Sequence, residues 1–316
     1  SHSTGHEVPR DRMPVAGRFF YRRSAAMGCG WNTGFLPRSP HRSHRDIRLR
    51  SSSLAIVLAA LALSAPAIAS AQATPIAAPQ PGEGKEDARL KKLFHDSDEA
   101  SLARNPINGI FRGDMRRADR IGDFFSDAYI AAERAAAEND LKQLGQIERA
   151  KLTPTNQVAY DVFRQQTETA LKGFDPAIVA LTIVRPMDHF YGIQTFYPEF
   201  ASGQGAAPFN TLADYENNLK RNVEYAHLLD EAILRFRQGM ASGIVQPKLV
   251  VRNMIAQFDN LLAAPVEKST FYGPVQNFPA AIPAGEQARL RAAYAAQIRD
   301  VIVPAEKRMR TFLSDT

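Results

Sequence analysis

The sequence predicts an all-α fold: a multi-helix array with long aromatic loops, behind a disordered N-terminal leader. Three observations carry this prediction. Apolar residues recur every third or fourth position through most of residues 85–316, the period of helices with one buried face. Prolines and glycines punctuate the ends of those stretches, apart from Pro304. Sustained alternation, the mark of a half-buried strand, is confined to Ile178–Val184, a run too short to define a sheet.

Residues 1–50 read as a non-native or disordered leader. They show no helical period, begin with Ser rather than Met, and hold the chain's one Cys (Cys29) and one Trp (Trp31). His2, His6, His41 and His44 also lie there, in sequence that gives no fold to hold a metal. The whole chain carries 39 Lys+Arg against 33 Asp+Glu, a net of +6, a balance that suits nucleic acid. Ten of those bases are arginines within residues 1–50, against only Glu7, Asp11 and Asp46. Residues 72–316 are left with 29 basic and 30 acidic side chains, so no nucleic-acid partner is expected. With no Cys beyond position 29, they offer neither a disulfide nor a thiolate.

Arg45, Arg48 and Arg50 precede an apolar run, Leu54–Leu63, and Ala69-Ser70-Ala71 has the A-x-A form of a cleavage site. Residues 51–71 therefore read as a signal peptide cut after Ala71, sending the protein to the periplasm or beyond. The run is about half the roughly 20 apolar residues a spanning helix needs, so no stable membrane span is expected after cleavage. Residues 72–84, rich in Pro and Gly, form a flexible tether, and 85–316 form the helical domain.

Within that domain Leu90, Leu93 and Phe94 start a helix that ends before Asn105-Pro106, because the residue before proline avoids the α region. Ile121, Phe124, Phe125, Ala128, Tyr129 and Ala132 predict a second helix, and Leu141, Leu144, Ile147 and Glu148 a short third. Thr153 is the expected N-cap of a helix opening at Pro154 and closing at Gly173. The longest pattern runs Tyr215, Leu219, Asn222, Ala226, Leu229, Ile233, Phe236, Met240, and ends at Ser242-Gly243. A further helix starts at Pro247, and a last one after Pro283-Ala284-Gly285-Glu286, with Pro304 set to kink or split it. Met187–Asn210 and Phe271–Pro279 remain as long aromatic loops, a type often functional.

Candidate chemistry is sparse. Glu224-x-x-His227, with Glu231 one turn on, has the spacing of half a carboxylate-bridged metal site, but a second Glu-x-x-His is absent. These three are weak metal candidates, and helical charge pairing explains them equally well. His189, beside Asp188, is a candidate acid, base or ligand, or a residue that pins its loop. His95 and its acidic neighbours lack the turn of a calcium loop and read as a solvated helix face. H-E-x-x-H, G-x-S-x-G, the phosphate-binding G-x-x-x-x-G-K-[ST] and G-x-G-x-x-G are missing.

Three stretches carry a resemblance: MDHFYGIQTFYPEF (Met187–Phe200), Asp214-Tyr215-Glu216 leading to GMASGIVQPK (Gly239–Lys248), and FYGPVQNFP (Phe271–Pro279). In this order, over residues 86–316, they resemble the N-terminal half of the bacterial family called "domain of unknown function 885". The resemblance implies a mostly helical protein akin to zinc-dependent metallopeptidases, with zinc held in the full-length domain by an H-E-x-x-P-G-H segment of its C-terminal half. This chain contains no such segment, so no catalytic residue carries over and no cofactor is expected within it. It then reads as the substrate-side half of an exported peptidase-like hydrolase, inactive alone, with a peptide substrate and the missing C-terminal half as partners. His189, Tyr191, Phe196, Tyr197, Phe271, Tyr272 and Phe278 are the residues expected to line its cleft. The alternative is a non-enzymatic exported helical module that binds a peptide or protein.

Overall fold

The computed structural model describes residues 82–315, all within one compact unit. The segments expected to be a leader (1–50) and a signal peptide (51–71), and most of the expected tether (72–84), lie outside the described residues. Among those described there are ten α-helices and no strand.

Helix α1 (Lys85–Arg104) is fixed at its start by Asp87. The wholly buried carboxylate accepts from the Gly84 N–H at 2.9 Å, the Thr153 N–H and hydroxyl at 3.0 Å each, and Asn156 Nδ2 at 2.6 Å. Thr153 does precede α4 (Pro154–Gly173), but its hydroxyl serves Asp87 rather than its own helix. Burial alone would raise the Asp87 pKa; the hydrogen bonds outweigh it and bring it down to about 2. Leu90, Leu93, Leu144, Ile147, Tyr160 and Phe163 form the core joining α1 and α4 to α3 (Asp127–Leu144).

The expected helices around 121–132 and 141–148 are corrected. A short helix α2 (Ile107–Phe111) follows Pro106, and residues 112–126 are irregular. Glu224 Oε2 accepts the N–H groups of Ile121 at 2.6 Å and Gly122 at 3.2 Å, and Gly122 sits at φ +117°. That capture holds the backbone out of a helix, while Ser126 Oγ accepts the Tyr129 N–H and starts α3 there. The one helix α3 then runs to Leu144, leaving Ile147 in the following turn.

Ile178–Val184 is also corrected: α5 (Pro176–Thr182) occupies most of it, capped by Asp175 Oδ1 on the Ala177 N–H at 2.8 Å. Nor is Met187–Asn210 a plain loop, since it contains α6 (Ile193–Phe200). A 3-10 turn over Thr270–Val275 orders most of the second aromatic segment.

Helix α7 (Leu212–Ser242) spans roughly 46 Å at 1.5 Å per residue. Thr211 and Asp214 form a reciprocal capping box, and Gly243 at φ +75° closes the helix. Against α7 pack α6 and α10 (Val303–Asp315), and α8 (Lys248–Leu262) packs on α10 and α6, together burying Ile193, Tyr225, Leu229, Met254, Phe258 and Met309. Between α9 (Ala284–Gln297) and α10 the backbone widens into a π-helical turn over Ile298–Ile302. Pro304 accounts for it: its ring has no N–H and collides with the carbonyl four residues back, and the wider turn relieves both.

Candidate functional site

A groove of about 630 Å³ opens between the chain leaving α6 and the 3-10 turn. One wall is Glu199–Gln204 with Phe209, the other Lys268–Pro274 continuing to Pro279, and Tyr215 of α7 lies at the base. The walls meet backbone to backbone. A Cβ on Gly273 would collide with the Ser202 carbonyl, and Gly203, at φ +84°, would place its own in ordinary contact with Pro274 Cα at 3.4 Å. Gly273→Ala should therefore part the walls and cost about 2 kcal/mol, by analogy with overpacked cores. Denaturant unfolding tests this, and an unchanged midpoint would show that the walls can yield.

Aromatic rings shape the floor. Tyr215 meets Phe209 edge-on with centroids 5.3 Å apart and Phe278 at 5.2 Å, and the Arg291 guanidinium covers Phe278 at 4.9 Å. Ser202 Oγ donates to the Glu199 carbonyl at 2.7 Å and accepts the Gln204 N–H at 3.0 Å, which pins the first wall. Lys268, Gln276 and Asn277 stand exposed at the rim.

Beneath the groove runs a ladder of buried polar groups along α7. The Tyr294 hydroxyl donates to the Tyr215 carbonyl at 3.1 Å and accepts from Asn218 Nδ2 at 3.2 Å. The Tyr197 hydroxyl donates to Asn222 Oδ1 at 2.9 Å, and Asn222 Nδ2 donates to Gln297 Oε1 at 3.0 Å. Arg221 donates to the Ala118 carbonyl and to Asn218 Oδ1, lies 5.6 Å from the Phe200 ring centroid, and keeps a buried Nε without a partner. Burial lowers the pKa of Arg221 and raises those of Tyr197 and Tyr294. These groups lie in the core, out of a ligand's reach, and hold the base of the groove rigid.

Of the seven expected cleft residues, Phe278 lines this groove. Tyr197 and Phe271 are buried beside Tyr225, and Phe196 and Tyr272 are half-buried against the same core. His189 and Tyr191 belong to a separate knuckle before α6, where the His189 ring lies tilted against Phe190 with centroids 4.0 Å apart. The spacing of Glu224, His227 and Glu231 does not converge into a site. Glu224 is spent on the backbone of Ile121 and Gly122, while His227 is 65% exposed in its side chain and 3.9 Å from Glu231. Among the described residues no three His, Cys, Asp or Glu side chains are grouped to hold a metal ion. Periodicity marks Tyr294 only as a buried position of the last helix and does not single out Asn218 or Arg221; both lie within one turn before Asn222 of the α7 stripe, which is the available signal.

The family described as "Bacterial protein of unknown function (DUF885)" matches over residues 106–316. A solved structure from Colwellia psychrerythraea, described as a presumed lipoprotein, is similar with a TM-score of 0.56 at 11% identity, over 73% of this chain and 41% of that one. At that identity the likeness is one of fold, and the chain spans less than half the length of this neighbour. A search of curated proteins finds no match. No helix among the described residues is long and apolar enough to cross a membrane.

Proposed function

Because the chain belongs to that bacterial family, we propose that residues 86–316 are the helical, substrate-side part of an exported peptidase-like hydrolase, with the groove as its peptide-binding surface. One observation carries this reading: the groove combines an aromatic floor of Phe209, Tyr215 and Phe278 with exposed amide side chains at its rim. Apolar hollows for side chains beside polar groups for the main chain suit an extended peptide. The zinc implied by the resemblance does not fit the described residues, which group no ligand set for it. The chain's own contribution is to bind and orient.

The test uses the full chain with fluorescently labelled casein peptides. Saturable binding, weakened about tenfold by Phe278→Ser (about 1.4 kcal/mol), is expected, with no cleavage whether or not zinc is added. Chelator-sensitive cleavage by this chain would overturn the division of labour, and unchanged binding in Phe278→Ser would move the peptide elsewhere. Peptide binding without cleavage by the full-length gene product would favour the non-enzymatic binding module.

A further inference from the structure

The knuckle preceding α6 exposes two large aromatic side chains, Phe190 at 70% and Tyr191 at 54%. Its backbone is held firmly. Asp188 Oδ1 accepts the N–H groups of Phe190 at 2.6 Å and Tyr191 at 2.7 Å, and the Asp188 carbonyl accepts from Gly192 N–H at 3.1 Å and Gln194 Nε2 at 2.8 Å. Gln257 Nε2 of α8 donates to the His189 carbonyl, and Gln246 Nε2 to that of Met187, each at 2.8 Å. A side chain at Gly192 would collide with Gln194. The aromatic exposure is thus a fixed feature of the fold and does not come from a loose loop.

The same hydrogen bonds lay the knuckle along α8, from Gln246 just before its start to Gln257 in its second half, and Leu249 between them is 60% exposed. Lys248 and Arg252 are exposed on that helix and have no acidic partner among the described residues, and the Arg185 guanidinium donates only to the Leu181 carbonyl. By contrast, Arg112, Arg149, Arg308 and Arg310 each face an aspartate. The one acid within the knuckle, Asp188, turns its Oδ1 onto the backbone. In residues 72–316, where acids and bases nearly balance, this leaves a local excess of positive charge around exposed rings.

We propose that this surface, Phe190, Tyr191 and Leu249 flanked by Arg185, Lys248 and Arg252, docks on an anionic lipid bilayer. Aromatic rings settle at head-group depth, and basic side chains are drawn to anionic head groups, so each signal reinforces the other. These exposed rings lie outside the groove, so they suit a deformable surface better than a peptide, which needs a groove. Docking of this kind is peripheral and requires no spanning helix.

The test is made in the full chain with Trp31→Phe, so that an indole introduced by Phe190→Trp is the one reporter. Vesicles of phosphatidylglycerol and phosphatidylcholine in equal parts, with brominated acyl chains, should quench its fluorescence; phosphatidylcholine alone should not. Adding Lys248→Glu and Arg252→Glu should weaken the partitioning about tenfold or more. A control indole from Phe111→Trp, on an exposed site outside this surface, should stay unquenched. Absence of quenching at position 190 would overturn the proposal. So would equal quenching at 190 and 111, which would assign binding to other residues, or shielding at 190 only when a protein partner is added.

Discussion

Tyr197→Ala is expected to lower the stability of the helical domain by about 4 kcal/mol, the range of large aromatic truncations in a packed core. Tyr197 has no solvent exposure, stacks on Tyr225 with centroids 4.8 Å apart, and lies 6.0 Å from Phe200 and 6.3 Å from Phe271. The substitution opens a cavity among these rings and strips Asn222 Oδ1 of its donor. Tyr197→Phe keeps the ring and removes only the hydroxyl, so it should cost about 1 kcal/mol. Urea unfolding followed by far-ultraviolet circular dichroism separates the two. A loss below about 1 kcal/mol for the alanine variant would place the ring outside the core. Equal losses in both variants would put the weight on the hydroxyl and its place in the ladder.

The behaviour of Tyr197 also shows what could be read from the sequence. The three-and-four spacing marked the long stripe of α7, the end of α1 before Asn105-Pro106, the opening of α4 at Pro154 and the disturbance at Pro304, because each depends on local chemistry. The segment 121–126 failed for a physical reason: Glu224, about a hundred residues away, takes the N–H groups that a helix would have used. Periodicity contains no trace of such a long-range carboxylate. The same limit explains Ile178–Val184, whose short alternation suggested a strand while Asp175 and Pro176 supplied a helix start.

Aromatic residues in the two flagged segments were visible in the sequence, but their destinations were not. Phe278 faces the groove, Phe190 and Tyr191 face solvent, and Tyr197 and Phe271 enter the core. All occur in near-identical local contexts of aromatics beside glycine and proline. What separates them is set by partners distant in sequence: Tyr197 and Phe271 meet Tyr225 of α7, whereas Phe278 meets Tyr215 and Arg291. Similarly, Arg221 looks like a surface charge on a long helix until the Ala118 carbonyl and the Phe200 ring are brought over it.

Glu306→Gln should stabilise the protein above neutral pH and leave it unchanged in mild acid. Glu306 of α10 is buried, its carboxylate accepts the Tyr225 hydroxyl at 3.1 Å, and no Lys or Arg pairs with it among the described residues. The aromatic groups facing it, Tyr225 and beyond it Tyr197, are neutral, so nothing offsets a negative charge there. Burial raises its pKa from 4.5 to about 7, with the Tyr225 hydrogen bond pulling weakly the other way. A carboxyl that holds its proton more tightly when folded contributes stability that is fully present below the unfolded value. That contribution is lost as pH rises through the folded value. For Glu306 the window runs from about 4.5 to about 7, and the loss is on the order of 3 kcal/mol. Asp87 titrates with the opposite sign, its contribution fading only as pH falls from its ordinary 3.8 towards about 2, so the two windows do not overlap. Glutamine keeps an acceptor for Tyr225 and cannot ionise, so the variant's unfolding free energy should stay flat across the Glu306 window while the parent's declines. Urea titrations at several pH values between these limits measure that difference directly. Parallel pH profiles for the two proteins would mean that the buried proton resides on some other group.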